Sequence, residues 1–144
     1  MNASEYDLVV IGSGPAGQKG AIAAAKARKR VAVIDWPAMI GGVSVHTGTI
    51  PSKTMREAIF QLTGFAVKTL SGNGFRNHGD VSIRDVSSRV SAIVARETEL
   101  IRDQLSRNSI AIYQGSALFL DPHTIEIHGS GGGIRVEASK RRRF

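Results

Sequence analysis

Gly12, Gly14 and Gly17 stand in a G-x-G-x-x-G pattern, within the run Gly12-Ser13-Gly14-Pro15-Ala16-Gly17. Glycines at this spacing suit the approach of an anion to bare main chain. Gly12 permits a tight turn, Gly14 has no Cβ to hold a pyrophosphate away, and Gly17 lets a following helix pack close to its strand. The front of that helix offers unpaired N–H groups and a partial positive charge. Asp35 lies 18 residues beyond Gly17. At that distance its carboxylate can accept hydrogen bonds from both hydroxyls of an adenosine ribose and disfavours a 2′-phosphate, which argues against NADP in this place. On its own the glycine pattern is weak, and a strand–helix turn without a ligand remains the bland alternative. The pattern does not separate a flavin dinucleotide from a nicotinamide one.

The surrounding residues strengthen the dinucleotide reading, because they supply the strand, helix and strand that it needs. Asp7–Ile11 is an apolar, β-branched run, the pattern of a strand buried on both faces. Gln18–Arg28 is alanine-rich and ends in basic residues that suit a helix C-terminus. Val31–Ile34 reads as a second buried strand ending at Asp35, so the unit is a parallel pair with one crossover helix. A loop is expected over Trp36–Thr49, then a helix from Ser52 to about Leu70 with Pro51 at its first turn, then a loop over Ser71–Asn77. Val86, Val90, Ile93, Val94, Ile101 and Leu105 give one apolar face to a helix spanning Ser82–Arg107. Arg84, Arg89, Arg96 and Arg102 fall between them, as a solvated face rather than a nucleic-acid surface. Ile110–Tyr113 reads as a third buried strand, and Ser116–Leu120 with Thr124–His128 as a hairpin around Asp121-Pro122-His123. A turn over Gly129–Gly133 and a strand at Ile134–Glu137 complete the expected elements.

Composition sets further bounds. At 144 residues and 42% hydrophobic, the chain can build one domain with a real core. No apolar run reaches the roughly 18–20 residues of a membrane span, and Met1–Asp7 lacks a basic start followed by an apolar stretch, so the cytoplasm is the expected setting. There is no cysteine, which excludes disulfides, thiolate metal sites and cysteine nucleophiles; no metal site is expected. The net charge is +7, but Lys140, Arg141, Arg142 and Arg143 supply four of those charges. The remaining +3 calls for no polyanion, and nucleic acid is not expected as a partner.

Residues 41–53 read GGVSVHTGTIPSK. This segment resembles the one that follows the glycine turn in flavoprotein disulfide reductases such as lipoamide dehydrogenase, glutathione reductase and mercuric reductase. Ser44 and Thr49 occupy the two places where those enzymes carry their redox-active cysteines. The run Thr47–Thr54, followed by Arg56-Glu57-Ala58, is similar to the soluble pyridine nucleotide transhydrogenases. The later stretch Gln104–Thr124, with LSRN, Gly115, Phe119 and DPHT, also resembles that branch. The resemblance implies an α/β, Rossmann-like FAD-binding domain: a parallel sheet with crossover helices plus a small β-meander. It implies hydride transfer from NADPH to NAD by way of FAD, without a working disulfide. Gly12, Gly14, Pro15, Ala16 and Gly17 would then meet the pyrophosphate and Asp35 the ribose. Gly41, Gly42, Ser44, Thr47 and Gly48 would line the path to the isoalloxazine, and Gly115 would meet the adenine. Lys53 would lie near the flavin N5 edge, where a cation stabilises anionic reduced flavin. Ser44 departs even from the transhydrogenase pattern, which usually keeps a cysteine there, and cannot form a thiolate–flavin pair. His46 stands where asparagine is frequent and reads as an ordinary loop residue rather than a general base.

Full-length members of that family are roughly three times as long by resemblance, adding a nicotinamide domain and a dimer interface. Residues 1–138 therefore read as a partial FAD/NAD(P)-binding domain, and 139–144 as a basic tail unlike the family, with truncation or a frame change its economical explanation. Weak or absent FAD binding and no turnover are expected of the chain alone, and a bare dinucleotide-binding module or an inactive remnant is the alternative. A lipoamide dehydrogenase-like enzyme is disfavoured by the missing cysteines.

Overall fold

The computed structural model describes residues 4–62, 82–129 and 132–138. The expected stretch from 63 to Leu70, the Ser71–Asn77 loop and the tail 139–144 lie outside those residues. The chain runs β1 (Ser4–Tyr6), β2 (Leu8–Ile11), α1 (Pro15–Lys26), β3 (Val31–Asp35), α2 (Val43–His46), α3 (Thr49–Leu62), α4 (Ile83–Arg107), β4 (Ala111–Gln114), β5 (Ser116–Phe119), β6 (Thr124–Gly129) and β7 (Gly132–Ala138).

Three β-branched runs form a parallel sheet in the order β2-β3-β4. Leu8 pairs with Val31 and Ile11 with Ile34; on the other side Ala32 pairs with Ala111 and Asp35 with Gln114. Alternation along β3 feeds two cores. Val31 and Val33 pack with Ala21 of α1, Val45 of α2 and Ile101 and Leu105 of α4. Ile34 turns the other way, onto Ile125, Ile127 and Val136. Those three residues belong to a second sheet of order β1-β7-β6-β5. The parallel sheet is thus a middle layer, with helices on one face and the second sheet on the other. Residues 31–34 are fully covered, as a strand between two layers must be. Alanines at 21, 24 and 25 keep α1 close to that sheet.

Several expectations need correction. The run read as a first strand buried on both faces is only partly covered: β2 pairs with β3 alone among the described residues, and Ile11 is 50% exposed. An unforeseen strand, β1, precedes it and pairs in parallel with β7. The Trp36–Thr49 loop contains the one-turn helix α2, and α3 starts at Thr49, which places Pro51 inside its first turn, where no N–H is needed. Ser82 is the N-cap of α4 rather than its first residue: its hydroxyl accepts the Asp85 N–H while Asp85 accepts the Ser82 N–H. Strand β6 extends to Gly129 and β7 begins at Gly132, where the two residues pair, so both ends of the expected Gly129–Gly133 turn belong to the ladder.

Other expectations hold. The α4 face carrying Val86, Ile101 and Leu105 is buried, and Arg84, Arg89, Arg96 and Arg102 are exposed. The hairpin of β5 and β6 turns at Asp121, whose Oδ1 accepts the N–H groups of His123 and Thr124. Among the described residues, no helix is long and apolar enough to cross a membrane.

Candidate functional site

The site is assembled where β2 and β3 end side by side. The Gly12 N–H donates to Ile34 O at 2.8 Å, continuing the β2–β3 ladder into the glycine turn. Gly12 takes a φ of +94°, which a residue with a side chain rarely adopts. A Cβ on Gly17 would sit 2.1 Å from Gly12 O, so the first turn of α1 lies against the turn's main chain. The opposite side of the turn is open: a Cβ on Gly12 or Gly14 would meet nothing within 4 Å. Gly14 is the N-cap of α1 and supplies no side-chain cap, Pro15 follows as a residue without an N–H, and no acidic residue occupies the first turn. The main-chain amides of Ala16 and Gly17 therefore present the positive end of the helix without a protein carboxylate to neutralise it.

A residue that the spacing argument passed over holds this corner together. Ser13, an unspecified position of the glycine pattern, is fully buried. Its N–H donates to Asp35 Oδ2 at 2.7 Å, and its hydroxyl donates to the same oxygen. The Ser13 Oγ in turn accepts the Gly41 N–H at 2.9 Å, and Ser13 O accepts from Gln18 Nε2. One serine thus joins the glycine turn, the end of β3 and the Gly41–Gly42 segment. The signal that could have found it is chemical: a small hydroxyl residue between two glycines, with a carboxylate due on the adjacent strand.

The second glycine pair closes against the first. Gly42 has a φ of +70°, and a Cβ on it would lie 2.9 Å from the Gly14 Cα. Ser44 Oγ donates to Gly41 O at 3.3 Å, and the N–H groups of Thr47 and Gly48 both donate to Val43 O, winding α2 tightly. His46 uses Nε2 to hydrogen-bond Ile40 O at 2.8 Å, a contact that fastens the loop, in keeping with an ordinary loop role. Gly115, between β4 and β5, donates its N–H to Asp35 O at 3.0 Å. The structure accordingly brings Gly12, Gly14, Pro15, Ala16, Gly17, Asp35, Gly41, Gly42, Ser44, Thr47, Gly48 and Gly115 into one connected region. Lys53 stands apart from this network: it is exposed on α3, lining a groove of about 480 Å³ toward α4 with Thr54, Glu57, Arg89, Ile93 and Glu97. Among the described residues no group of three or more His, Asp or Glu is placed to hold a metal.

A parallel β-α-β unit with its glycine turn at a helix front and a carboxylate ending the next strand defines a nucleotide-binding α/β protein of the Rossmann-like class. Residues 6–140 match the family model described as Pyridine nucleotide-disulphide oxidoreductase. This chain belongs to that family. It is 48% identical over 121 residues to the soluble pyridine nucleotide transhydrogenase of Mycobacterium tuberculosis, covering 84% of this chain and 26% of the relative. It is 37% identical over 139 residues to the protein of that name from Hahella chejuensis, covering 94% of this chain and 29% of the relative. Among solved structures it is similar to the Cu(II) complex of HOCl-induced flavoprotein disulfide reductase RclA from Escherichia coli, with a TM-score of 0.75 and 27% identity over 95% of this chain and 27% of that one. The chain spans between a quarter and a third of the length of these relatives.

Proposed function

We propose that this chain binds the ADP part of FAD at the β2–α1 turn and forms the flavin-binding portion of a cytoplasmic, transhydrogenase-like flavoprotein oxidoreductase. The observation that carries the reading is the open side of the turn. Among the described residues a Cβ on Gly12 or Gly14 would meet nothing within 4 Å, while Ser13 between them is hydrogen-bonded to Asp35 and Gly41. The dimensions suit a pyrophosphate against bare main chain, with the α1 amides directed at it. In this reading Asp35 meets the ribose, the Gly41–Gly48 segment lines the path toward the flavin ring, and the Gly115 main chain meets the adenine, as the family resemblance implies.

FAD, when bound, supplies the hydride chemistry, and NADPH and NAD are the donor and acceptor of the reaction proposed for the whole protein. This chain's own residues bind and orient. The names of the relatives support transhydrogenation, and the composition argues against disulfide exchange as the alternative. Ser44 and Thr49 carry hydroxyls, and a chain without cysteine offers no thiol for disulfide exchange. The placement of Lys53 beside the flavin rests on the resemblance of the GTIPSK run.

The test is a titration of the full chain with FAD, followed by flavin fluorescence, with ADP as competitor. Weak, saturable binding that ADP displaces is the expected result, because the chain spans only between a quarter and a third of the length of its relatives. Gly14→Val places a branched side chain in the open space, at a φ of −62° and ψ of 175° that suit valine. It should abolish binding at a stability cost of about 1 kcal/mol, because a Cβ there meets nothing within 4 Å but valine is a poor N-cap. A folded wild-type chain with no affinity for either nucleotide would refute the assignment.

A further inference from the structure

The Ser13 side chain is fully buried and hydrogen-bonded in both directions. Its hydroxyl donates to Asp35 Oδ2, and its oxygen accepts the Gly41 N–H at 2.9 Å. A serine hydroxyl has one proton to give, so with that proton on the carboxylate the oxygen meets the Gly41 amide purely as an acceptor. Donation to an ionised group polarises the oxygen and strengthens the bond it accepts. Gly41 and Gly42 take φ values of +100° and +70°, and a Cβ on Gly42 would lie 2.9 Å from Gly14 Cα. The two glycine segments therefore meet main chain to main chain, with the Ser13 bond beside the contact. Behind it, Ile40 and Val45 sit in the same core as Ile101 and Leu105. The core sets the rear of the Gly41–Gly48 segment, and Ser13 sets its front.

We propose that Ser13 is a positioning residue that couples the two glycine segments. An ADP group seated on the turn fixes Ser13, and Ser13, through Gly41, fixes the Gly41–Gly48 segment for the rest of the dinucleotide. The inference rests on the reading of the turn as an ADP site and adds that the two halves of the site do not act independently. Ser13 acts on the flavin half through Gly41, without touching the flavin. Such coupling is reciprocal: whatever the docked segment contributes to holding the ligand on the turn, the ligand contributes to docking the segment. The Gly41 amide gives its one hydrogen to Ser13 and has none to offer a ligand, so its state reports the docking itself.

The experiment titrates the full chain and its Ser13→Ala variant calorimetrically, each with ADP and with FAD, and reads the ratio of the two affinities in each protein. Ser13→Ala leaves the Gly41 N–H without its acceptor, so FAD should lose about tenfold more affinity than ADP does. A serine that merely stabilised the fold would weaken both ligands alike. A ratio in the variant within about twofold of the wild-type ratio would overturn the inference. A second measurement needs no variant: hydrogen exchange of the Gly41 amide, followed by nuclear magnetic resonance on the wild-type chain with and without saturating ADP. ADP should slow that exchange about tenfold, because it stabilises the docked segment against local opening. An exchange rate that ADP leaves unchanged would overturn the coupling, and it decides the matter even where Ser13→Ala does not fold. Absence of any ADP binding would instead remove the site reading itself, so the two failures are told apart.

Discussion

Two glycines on consecutive turns of α1 should respond to alanine with opposite signs. A Cβ on Gly17 would lie 2.1 Å from Gly12 O, 3.2 Å from the Gly12 carbonyl carbon and 3.2 Å from Val10 Cγ1. The first obstacle is main chain and cannot rotate aside. Ordinary contact begins near 3.4 Å, so the helix and the turn must separate by about 1.3 Å. That movement lifts Ala21, Ala24 and Ala25 from Val31 and Val33, and gaps of 0.5–1 Å already forfeit about a quarter to a half of each dispersion contact. Overpacking typically costs about 1–3 kcal/mol, and a main-chain clash belongs at the upper end. The gain of about 1 kcal/mol in helix propensity offsets part of this, leaving a net loss of about 2 kcal/mol for Gly17→Ala. Gly20 is exposed, and a Cβ there would meet nothing within 4 Å. Gly20→Ala should therefore stabilise by about 0.5–1 kcal/mol through helix propensity alone. Urea unfolding followed by circular dichroism reads both. With a slope of about 1–2 kcal/mol/M, the two midpoints should stand more than about 1 M apart, on either side of the wild type. A Gly17→Ala midpoint at or above the wild-type value would refute the close-approach argument, whatever Gly20→Ala does.

Two further outcomes follow from titratable groups. Burial first, and then the 2.7 Å hydrogen bond to Tyr113, push the Tyr6 hydroxyl from 10.0 up to about 12. Folding favours the protonated phenol, so its contribution is intact below pH 10 and is lost as pH rises through about 12. Phenolate absorbance of the two tyrosines should show one component near 12 that Tyr6→Phe removes, and a single midpoint at the ordinary value would contradict this. At the front of α4, hydrogen bonds from the Ser82 side chain and main chain hold the Asp85 carboxyl below its usual range. This contribution is present above the ordinary value of 3.8 and is lost as pH falls through the lower folded one. Ser82→Ala should lower the thermal midpoint at neutral pH and by less in acid; an equal loss at both would remove the charged half of the capping box.

Much of the middle layer was legible because its signals are local. Four consecutive buried residues in β3 leave an unbroken apolar run, and a glycine turn followed by alanines can hardly be other than a strand–helix junction. The Asp121 turn was equally readable, since an aspartate that bonds the amides just beyond it acts within a few residues. What escaped notice depends on distant partners. Strand β1 is Ser4-Glu5-Tyr6, polar and three residues long, and it exists only because Val136, Glu137 and Ala138 lie alongside it at the far end of the chain. The coverage of β2 failed for a related reason: its composition suits burial, but burial is granted by neighbours, and only β3 flanks it among the described residues. Helix α2 is four residues long and begins after a glycine with positive φ, too short for periodicity to register.

The spacing between Gly17 and Asp35 was legible as a motif, and the parallel register supplies its cause. With Ile11 opposite Ile34, the next residues along each strand, Gly12 and Asp35, emerge together at the same edge of the sheet. Alternation decides the rest. Ile34 faces the second sheet, so Asp35 faces the helix side, with Val33 beneath it and the glycine turn beside it. A slip of one residue in that register would send the carboxylate into the apolar cluster of Ile125, Ile127 and Val136 and leave Ser13 buried without an acceptor for its hydroxyl. The hydrophobic pattern that stabilises the sheet and the acceptor that meets the turn are therefore selected by the same pairing. A change that weakens the register, such as a polar residue at Ile34, would damage the site without touching any residue in it.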